Sequence, residues 1–252
     1  MSPNRTNTRQ GINVEELLRN SLPHHPRAFN KVKRVAGIPD SASLSNEESD
    51  NVGLYKRKTD VVFNFGEEYP LLRITVKSFS PTAGYNHIGR KALSVFCAEN
   101  RIKASDHKFL ESLFLRKAKA PRGRRTHLVE VGEQDRVRQI FNHTEAGASA
   151  LLGADHPQIF AVYCIEKSTW HLYDIQKQVL PIIRQSTITF TTTGRNIVLG
   201  DYIVLQRKGS QAGEHSGGHP ITDIRHRAND VQVKMRVKRF FDEVEPLAYF
   251  VL

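Results

Sequence analysis

The sequence predicts an α/β fold, or an α+β one, in which a central mixed β-sheet is flanked by helices. Three observations favour it: apolar residues at helical spacing in the amino-terminal half, a β-hairpin among them, and a β-rich part at residues 157–252. At 252 residues the chain is long enough to bury a full core. We therefore expect one domain over residues 1–252, in which residues 45–100 supply the hairpin and the helix that follows it.

Helices are predicted where apolar side chains recur every three or four residues. In chain order, the predicted helices cover residues 13–18, 28–35, 87–100, 105–117, 133–143 and 145–152. Strands are predicted where β-branched and aromatic residues cluster between turn signals. Beyond the hairpin, the predicted strands cover residues 159–165, 170–173, 187–192, 197–207 and 231–237. The Gly- and His-rich stretch 209–228 is expected to be a long loop.

The hairpin is predicted between residues 60 and 78, with a turn at residues 66–70. Side chains alternate along its second arm. The set on one face is apolar and consists of Leu72, Ile74 and Val76. The set on the other face is polar and consists of Arg73, Thr75 and Lys77. A hairpin of this length brings Asp60 close to Lys77, 17 residues later. A carboxylate can hold Mg²⁺, and a nearby lysine can orient water and stabilise charge on a phosphate.

Asp60 followed by Thr75-Val76-Lys77 resembles the Asp…(Asp/Glu)-x-Lys core of the PD-(D/E)XK nuclease superfamily, and in particular its type II restriction endonucleases. Thr75 departs from this pattern, because an acid is usual at its position. The resemblance implies Mg²⁺-dependent cleavage of double-stranded DNA, with Mn²⁺ as a possible substitute. Asp60 and the carbonyl of Val76 would hold the metal, Lys77 would orient or activate the attacking water, and the Thr75 hydroxyl would orient water.

The resemblance also implies partners and a further acid. It implies a homodimer that acts on a palindromic site, and a companion methyltransferase encoded nearby but not stably bound. In resembling nucleases, an acid from the helix before the hairpin can hold the metal. Glu16, or Glu47 and Glu48, could serve here, and Glu16 is favoured as the additional catalytic and metal-binding residue. The alternative for Glu16 is an acid that merely stabilises the start of its helix.

The chain has 37 Lys and Arg residues but only 26 Asp and Glu residues, which gives a net charge of +11. This excess of positive charge favours a polyanionic partner such as DNA. Basic residues flank the hairpin and are predicted to contact DNA: Lys56, Arg57, Lys58, His87, Arg90 and Lys91. A second basic patch comprises Lys117, Lys119, Arg122, Arg124 and Arg125. In the β-rich part, amides and basic side chains suited to base or phosphate contact are Arg207, Lys208, Asn229, Gln232 and Lys234, with Arg225 and Arg227 as further arginines for guanine.

The main alternative is a non-catalytic DNA-binding protein with a degenerate nuclease-like fold, since Thr75 cannot supply the missing charge. An RNA-binding protein is less favoured, because the aromatic residues form no stacking platform. A second site at Asp201 and Gln206 is disfavoured, because both residues lie on one predicted strand. The spacing of His215, His219 and His226 matches no compact zinc pattern.

The same sequence features indicate where the protein works. No apolar run approaches 18 residues, and the first ten residues lack the apolar segment of a secretory signal. Only Cys97 and Cys164 occur, which allows no disulfide framework, and Cys97 is expected to be a core residue. We therefore expect a cytoplasmic protein that does not associate with a membrane.

Overall fold

The computed structural model of the chain describes residues 13–45, 59–80, 85–120, 127–142, 145–184, 187–192, 194–209, 215–216 and 218–252. The helices are α1 (13–21), α2 (Pro26–Val35), α3 (Leu93–Glu99), α4 (Ala104–Lys119), α5 (Gln134–Phe141), α6 (Ala146–Leu152), α7 (Leu180–Ile183) and α8 (Val237–Glu243). The first half of the strands comprises β1 (Val61–Phe63), β2 (Leu72–Phe79), β3 (Asn86–Lys91), β4 (Ile159–Cys164), β5 (Thr169–Asp174) and β6 (Ile188–Phe190). The second half comprises β7 (Asn196–Leu199), β8 (Ile203–Arg207), β9 (His215–Ser216), β10 (His219–Pro220), β11 (Val231–Met235) and β12 (Ala248–Val251).

The chain divides into two compact units, each assembled from segments that are distant in sequence. The first unit contains the described parts of Met1–Asn86, Leu152–Pro181 and Val237–Leu252. The second contains the described parts of His87–Leu151 and Ile182–Arg236. Sequence analysis treats residues 1–252 as one domain and does not anticipate this division, because local patterns carry no information on which distant segments assemble together.

The first unit is built on a five-stranded mixed sheet with the order β1-β2-β4-β5-β12. Strands β2 and β4 are parallel, and the other neighbouring pairs are antiparallel. Helices α1 and α2 supply apolar side chains to a core that includes Leu72, Ile74 and Val76 of β2. On the strands' other face, Phe240 of α8 packs edge-to-face on Phe160 of β4, with ring centroids 5.9 Å apart. The predicted mixed α/β class and the predicted apolar face of the hairpin are therefore confirmed.

The second unit contains a five-stranded sheet with the order β3-β11-β8-β7-β6. Two of its features correct the sequence analysis. Residues 87–91, predicted to begin a helix, form β3, and the helix α3 starts only at Leu93. The predicted strand 197–207 is two strands, β7 and β8, joined by a turn at Gly200, whose φ of 58° suits glycine. Asp201 lies in that turn, so it shares no strand with Gln206.

Several other elements agree with or extend the predictions. Cys97 lies on α3 and is buried, as predicted. The expected long loop contains a two-residue β-ladder between β9 and β10. Strand β12 and helix α8 were not predicted. Within the described residues, no helix has both the length and the apolar character needed to cross a membrane.

Candidate active site

The candidate active site lies in the first unit, at the edge of its sheet. Strand β1 begins at Val61, which pairs with Ile74 of β2. Among the described residues, no strand pairs with the part of β2 that follows Ile74 on the edge where β1 pairs with it. The backbone groups of β2 that follow therefore need other partners, because buried N–H and C=O groups are almost always hydrogen-bonded. Side chains from Asp60, just before β1, and from β2 itself supply them.

The Asp60 carboxylate receives its hydrogen bonds on one oxygen. The backbone N–H of Val76 donates to Asp60 Oδ2 at 2.5 Å, and the Thr75 hydroxyl donates to the same oxygen at 3.0 Å. Lys77 Nζ lies 3.4 Å from it. Within the described part of the chain, Asp60 Oδ1 accepts no hydrogen bond. This oxygen can thus serve an external ligand while Oδ2 fixes the side chain.

Lys77 connects the carboxylate to the strand edge. Its ammonium donates to the carbonyl oxygen of Val76 at 2.6 Å while also facing Asp60. The side chains of Lys77 and Asp60 are 22% and 23% exposed, so both groups can be reached from solvent. Thr75, in contrast, is 1% exposed and its hydroxyl is committed to Asp60. The predicted proximity of Asp60 and Lys77 is confirmed, whereas Thr75 has little access to water.

A second carboxylate, Glu15 of α1, interacts electrostatically with Asp60 and Lys77. Its pKa is raised from 4.5 to about 7, first because the group is half-buried and second because of the negative charge of Asp60. The positive charges of Lys77 and Arg19 act in the opposite direction. Two carboxylates and one ammonium therefore interact at this edge of the sheet. A carboxylate that is costly to ionise beside another is a common feature of functional sites.

Glu15 was missed by the sequence analysis, which favoured its neighbour Glu16. Glu16 is exposed, and its position on α1 points away from the core. The spacing of the apolar residues on α1 indicates which of the two acids lies nearer the core. Val14 and Leu18 are buried, so they define the inner face of α1. Since successive helical residues are rotated by about 100°, Glu15 borders that face and Glu16 lies nearly opposite it.

The site offers oxygen ligands of the kind that Mg²⁺ prefers: the carboxylates of Glu15 and Asp60 and the carbonyl of Val76. No group of three or more His, Cys, Asp or Glu side chains suited to a metal ion occurs among the residues that the structure describes. Two carboxylates with a main-chain carbonyl nevertheless fit a hard cation, since Mg²⁺ is usually bound through one or two carboxylates and keeps several waters.

Some of the basic residues predicted to contact DNA lie outside the described residues: Lys56, Arg57, Lys58, Arg122, Arg124 and Arg125. The alternative metal-binding acids Glu47 and Glu48 lie outside them as well. His87, Arg90 and Lys91 lie on β3 and not at the start of a helix, where the predicted helix 87–100 would place them. Arg90 forms an ion pair with Asp230, at 2.7 Å, and Lys91 forms one with Glu99. His87 and Arg90 are exposed.

The amide side chains predicted to contact bases are occupied within the second unit. Asn229 is fully buried and accepts a hydrogen bond from Arg207 Nε at 2.7 Å. Its amide nitrogen donates to the carbonyl oxygens of Ile221 and Asp223, at 3.0 and 2.6 Å. The geometry therefore gives Asn229 a structural role and leaves it no group for an adenine.

Gln232 is buried and accepts a hydrogen bond from Gln206 Nε2 at 2.6 Å. Lys208 and Lys234 are half-buried, and burial lowers the pKa of Lys234. The amide oxygen of Gln232 is therefore already hydrogen-bonded within the protein. The side chains of Lys208 and Lys234 keep partial access to solvent.

No protein-family model matches the chain, and no curated protein matches it. The resemblance to PD-(D/E)XK nucleases therefore depends on the sequence motif of Asp60, Thr75, Val76 and Lys77.

Proposed function

We propose that the protein is a Mg²⁺-dependent endonuclease that hydrolyses phosphodiester bonds in double-stranded DNA at specific sites, as type II restriction enzymes do. The observation that supports the proposal most strongly is the approach of Lys77 Nζ to Asp60 Oδ2, at 3.4 Å, beside the Val76 carbonyl at the edge of β2. Glu15 adds to it, because it interacts electrostatically with both groups. The net charge of +11 adds to it, because a basic chain favours a polyanionic substrate.

In this proposal Asp60, Glu15 and the carbonyl of Val76 hold Mg²⁺, and Mn²⁺ is a possible substitute. When bound, the ion supplies charge stabilisation for the pentavalent phosphorus and the leaving oxygen. Glu15 takes the place that the resemblance assigns to a helix acid. It compensates for Thr75, which supplies a hydroxyl where the motif usually has a carboxylate. The raised pKa of Glu15 fits this role, because a bound cation offsets both the cost of burying the ionised group and its repulsion by Asp60.

Lys77 orients the attacking water in this proposal. Its ammonium donates to the Val76 carbonyl oxygen and lies 3.4 Å from Asp60 Oδ2, so it lies beside the carboxylate and the carbonyl that hold the metal in the proposal. An ammonium in this place can donate to a water or to a phosphate oxygen, and it stabilises the negative charge that develops in the transition state. Thr75 acts through Asp60: its hydroxyl holds Oδ2 in place and leaves Oδ1 for the metal.

The remaining features of the proposal follow from the same family resemblance. The enzyme acts in the cytoplasm as a homodimer, so that one site faces each strand of a palindromic target. A companion methyltransferase protects the host DNA and is expected as a genetic neighbour.

The second candidate is a DNA-binding protein without catalytic activity. It is favoured by one observation, the fully buried Thr75 whose hydroxyl satisfies Asp60 in place of a second motif acid. In such a protein Lys77 would serve as the permanent counter-ion of Asp60. The two candidates differ in their need for a divalent ion, since only the enzyme requires one to act on DNA.

Digestion of long unmethylated DNA tests the proposal. The wild-type protein is incubated with Mg²⁺ or with EDTA, alongside Asp60→Ala and Lys77→Ala. We expect discrete fragments that need Mg²⁺ and disappear in both variants. If the protein binds DNA but does not cleave it with Mg²⁺ or Mn²⁺, the result would support the second candidate, a DNA-binding protein without catalytic activity. Fragments that persist in Asp60→Ala would move the site elsewhere.

A further inference from the structure

The second unit contains a cluster of cations that the proposed nuclease mechanism does not use. Its members are Arg207 at the end of β8, Arg195 just before β7, and Lys117 near the end of α4. In the β7–β8 ladder Asn196 pairs with Gln206. Extending this register by one residue places Arg195 opposite Arg207. Like charges directly opposite each other destabilise a sheet, so this arrangement needs a compensating group.

The Arg207 guanidinium is held in a fixed orientation. Its Nε donates to Asn229 Oδ1 at 2.7 Å, and Asn229 is itself fixed by two backbone carbonyls. Arg207 Nη2, in contrast, is buried and has no hydrogen-bond partner in the part of the chain that the structure describes. A buried polar donor without a partner costs free energy, and such a group in a native protein requires an explanation.

No carboxylate among the described residues lies within ion-pair distance of Arg195 or Arg207. Burial lowers the pKa of Arg207 to about 10. The pKa of Lys117 is lowered as well, first by burial and then by the charges of Arg195 and Arg207. Arg195 and Arg207 therefore place positive charge beside Lys117 that no carboxylate of theirs offsets, and an anion bound to the two arginines would offset it.

We propose that Arg195, Arg207 and Lys117 form a binding site for a phosphate group, with Arg207 Nη2 as its buried donor. Guanidinium groups suit phosphate because their N–H groups can bond two of its oxygens at once. The site takes the backbone phosphate of a nucleic acid, and naming that source rests on the proposed function. A free phosphate or a nucleotide phosphate has the same chemistry. In either case Arg207 acts on phosphate and not on a base edge.

Two arms of one experiment test the site and its source. The variants are Arg195→Gln, Arg207→Lys, and the control Lys108→Gln, which removes one charge from an exposed position on the same helix as Lys117. In the first arm, inorganic phosphate replaces chloride at constant ionic strength, and thermal unfolding is followed. We expect phosphate to raise the melting temperature of the wild type and of Lys108→Gln but not of Arg195→Gln. Arg207→Lys keeps the charge but loses the forked donor, and its response to phosphate should be reduced.

In the second arm, binding to a labelled duplex is measured in EDTA over a series of salt concentrations. The plot of log K against log salt should become less steep by about 0.9 in Arg195→Gln, the effect of one lost phosphate contact. It should keep the wild-type slope in Lys108→Gln. A less steep slope in Arg195→Gln supports the DNA backbone as the source of the bound phosphate. A phosphate response without a changed slope keeps the site and assigns it to free phosphate or a nucleotide.

The inference is overturned if Arg195→Gln and Lys108→Gln behave alike in both arms. Its failure is distinguishable from that of the proposed function, because neither arm contains a divalent ion or measures cleavage. A protein that cuts DNA with unchanged slope and no phosphate response would keep the nuclease proposal and lose this site. A protein that never cuts DNA but shows both the phosphate response and the changed slope would keep this site and lose the nuclease proposal.

Discussion

Replacing Glu15 by Gln should stabilise the metal-free protein at high pH. In the folded protein, burial and then the negative charge of Asp60 raise the pKa of Glu15 from its ordinary value of 4.5 to about 7. Above pH 7 the group is ionised in both the folded and the unfolded state, so the folded state bears the full cost of a half-buried charge beside Asp60. A change in pKa from 4.5 to about 7 would correspond to about 3 kcal/mol for a fully buried group. Because Glu15 is only half-buried, solvent screening reduces this to about 1–2 kcal/mol. Gln keeps the shape and avoids this cost.

The sign of the effect depends on pH. Because the folded-state pKa is the higher one, the folded state binds the proton more tightly, and wild-type stability falls as pH rises from 4.5 to about 7. The advantage of Glu15→Gln should therefore be close to zero at pH 4.5 and reach about 1–2 kcal/mol above pH 7. Urea unfolding in EDTA at pH 5 and pH 8 measures it.

Glu16→Gln is the matched control, since Glu16 is the exposed neighbour on the same helix. It should show no comparable dependence on pH. Addition of Mg²⁺ at pH 8 should stabilise the wild type and Glu16→Gln, because a ligand that binds the folded state stabilises it, but leave Glu15→Gln unchanged. The reasoning is refuted if Glu15→Gln is less stable than the wild type at pH 8, or if Glu16→Gln gains as much.

Three further predictions concern neighbouring groups. Thr75→Val should lower the free energy of unfolding by about 1 kcal/mol in EDTA, since it removes a hydrogen bond to a carboxylate; unchanged urea unfolding would contradict this. Lys77→Met should raise the pKa of Glu15 further, because Lys77 now lowers it, and a carboxyl NMR titration that shows a fall would oppose the assignment. Asn229→Ala should cost about 2–3 kcal/mol, because it leaves buried partners of its amide unpaired; a loss below about 1 kcal/mol in urea unfolding would argue against this structural role.

The hairpin could be predicted from sequence because its signals are local. Alternation along residues 72–77 indicates a strand with one apolar face, and the turn between the arms limits the register. The proximity of Asp60 and Lys77 follows from that register. The inner position of Glu15 could also have been predicted, since Val14 and Leu18 fix the phase of α1. With that phase, Glu15 lies at the border of the buried face of α1, and Glu16 lies nearly opposite it.

Other features depend on packing that the sequence does not encode locally. Residues 87–91 have apolar spacing compatible with a helix, but Gly89 is a poor helix former and lies tightly against α6. A Cβ atom at Gly89 would lie 3.0 Å from Ala150 Cβ. Likewise, the amide of Asn229 resembles a base-reading group in sequence, and only the folded chain places Arg207 and two carbonyls around it.

The measurement that tests the central claim most directly is DNA cleavage by four proteins: the wild type, Asp60→Asn, Glu15→Gln and Glu16→Gln. Each is given the same unmethylated duplex DNA with Mg²⁺ and, separately, with EDTA. The account predicts identical discrete fragments from the wild type and Glu16→Gln in Mg²⁺ alone, and loss of these fragments in Asp60→Asn and Glu15→Gln. Cleavage by Asp60→Asn, or wild-type protein that binds DNA without cutting it, would contradict the account.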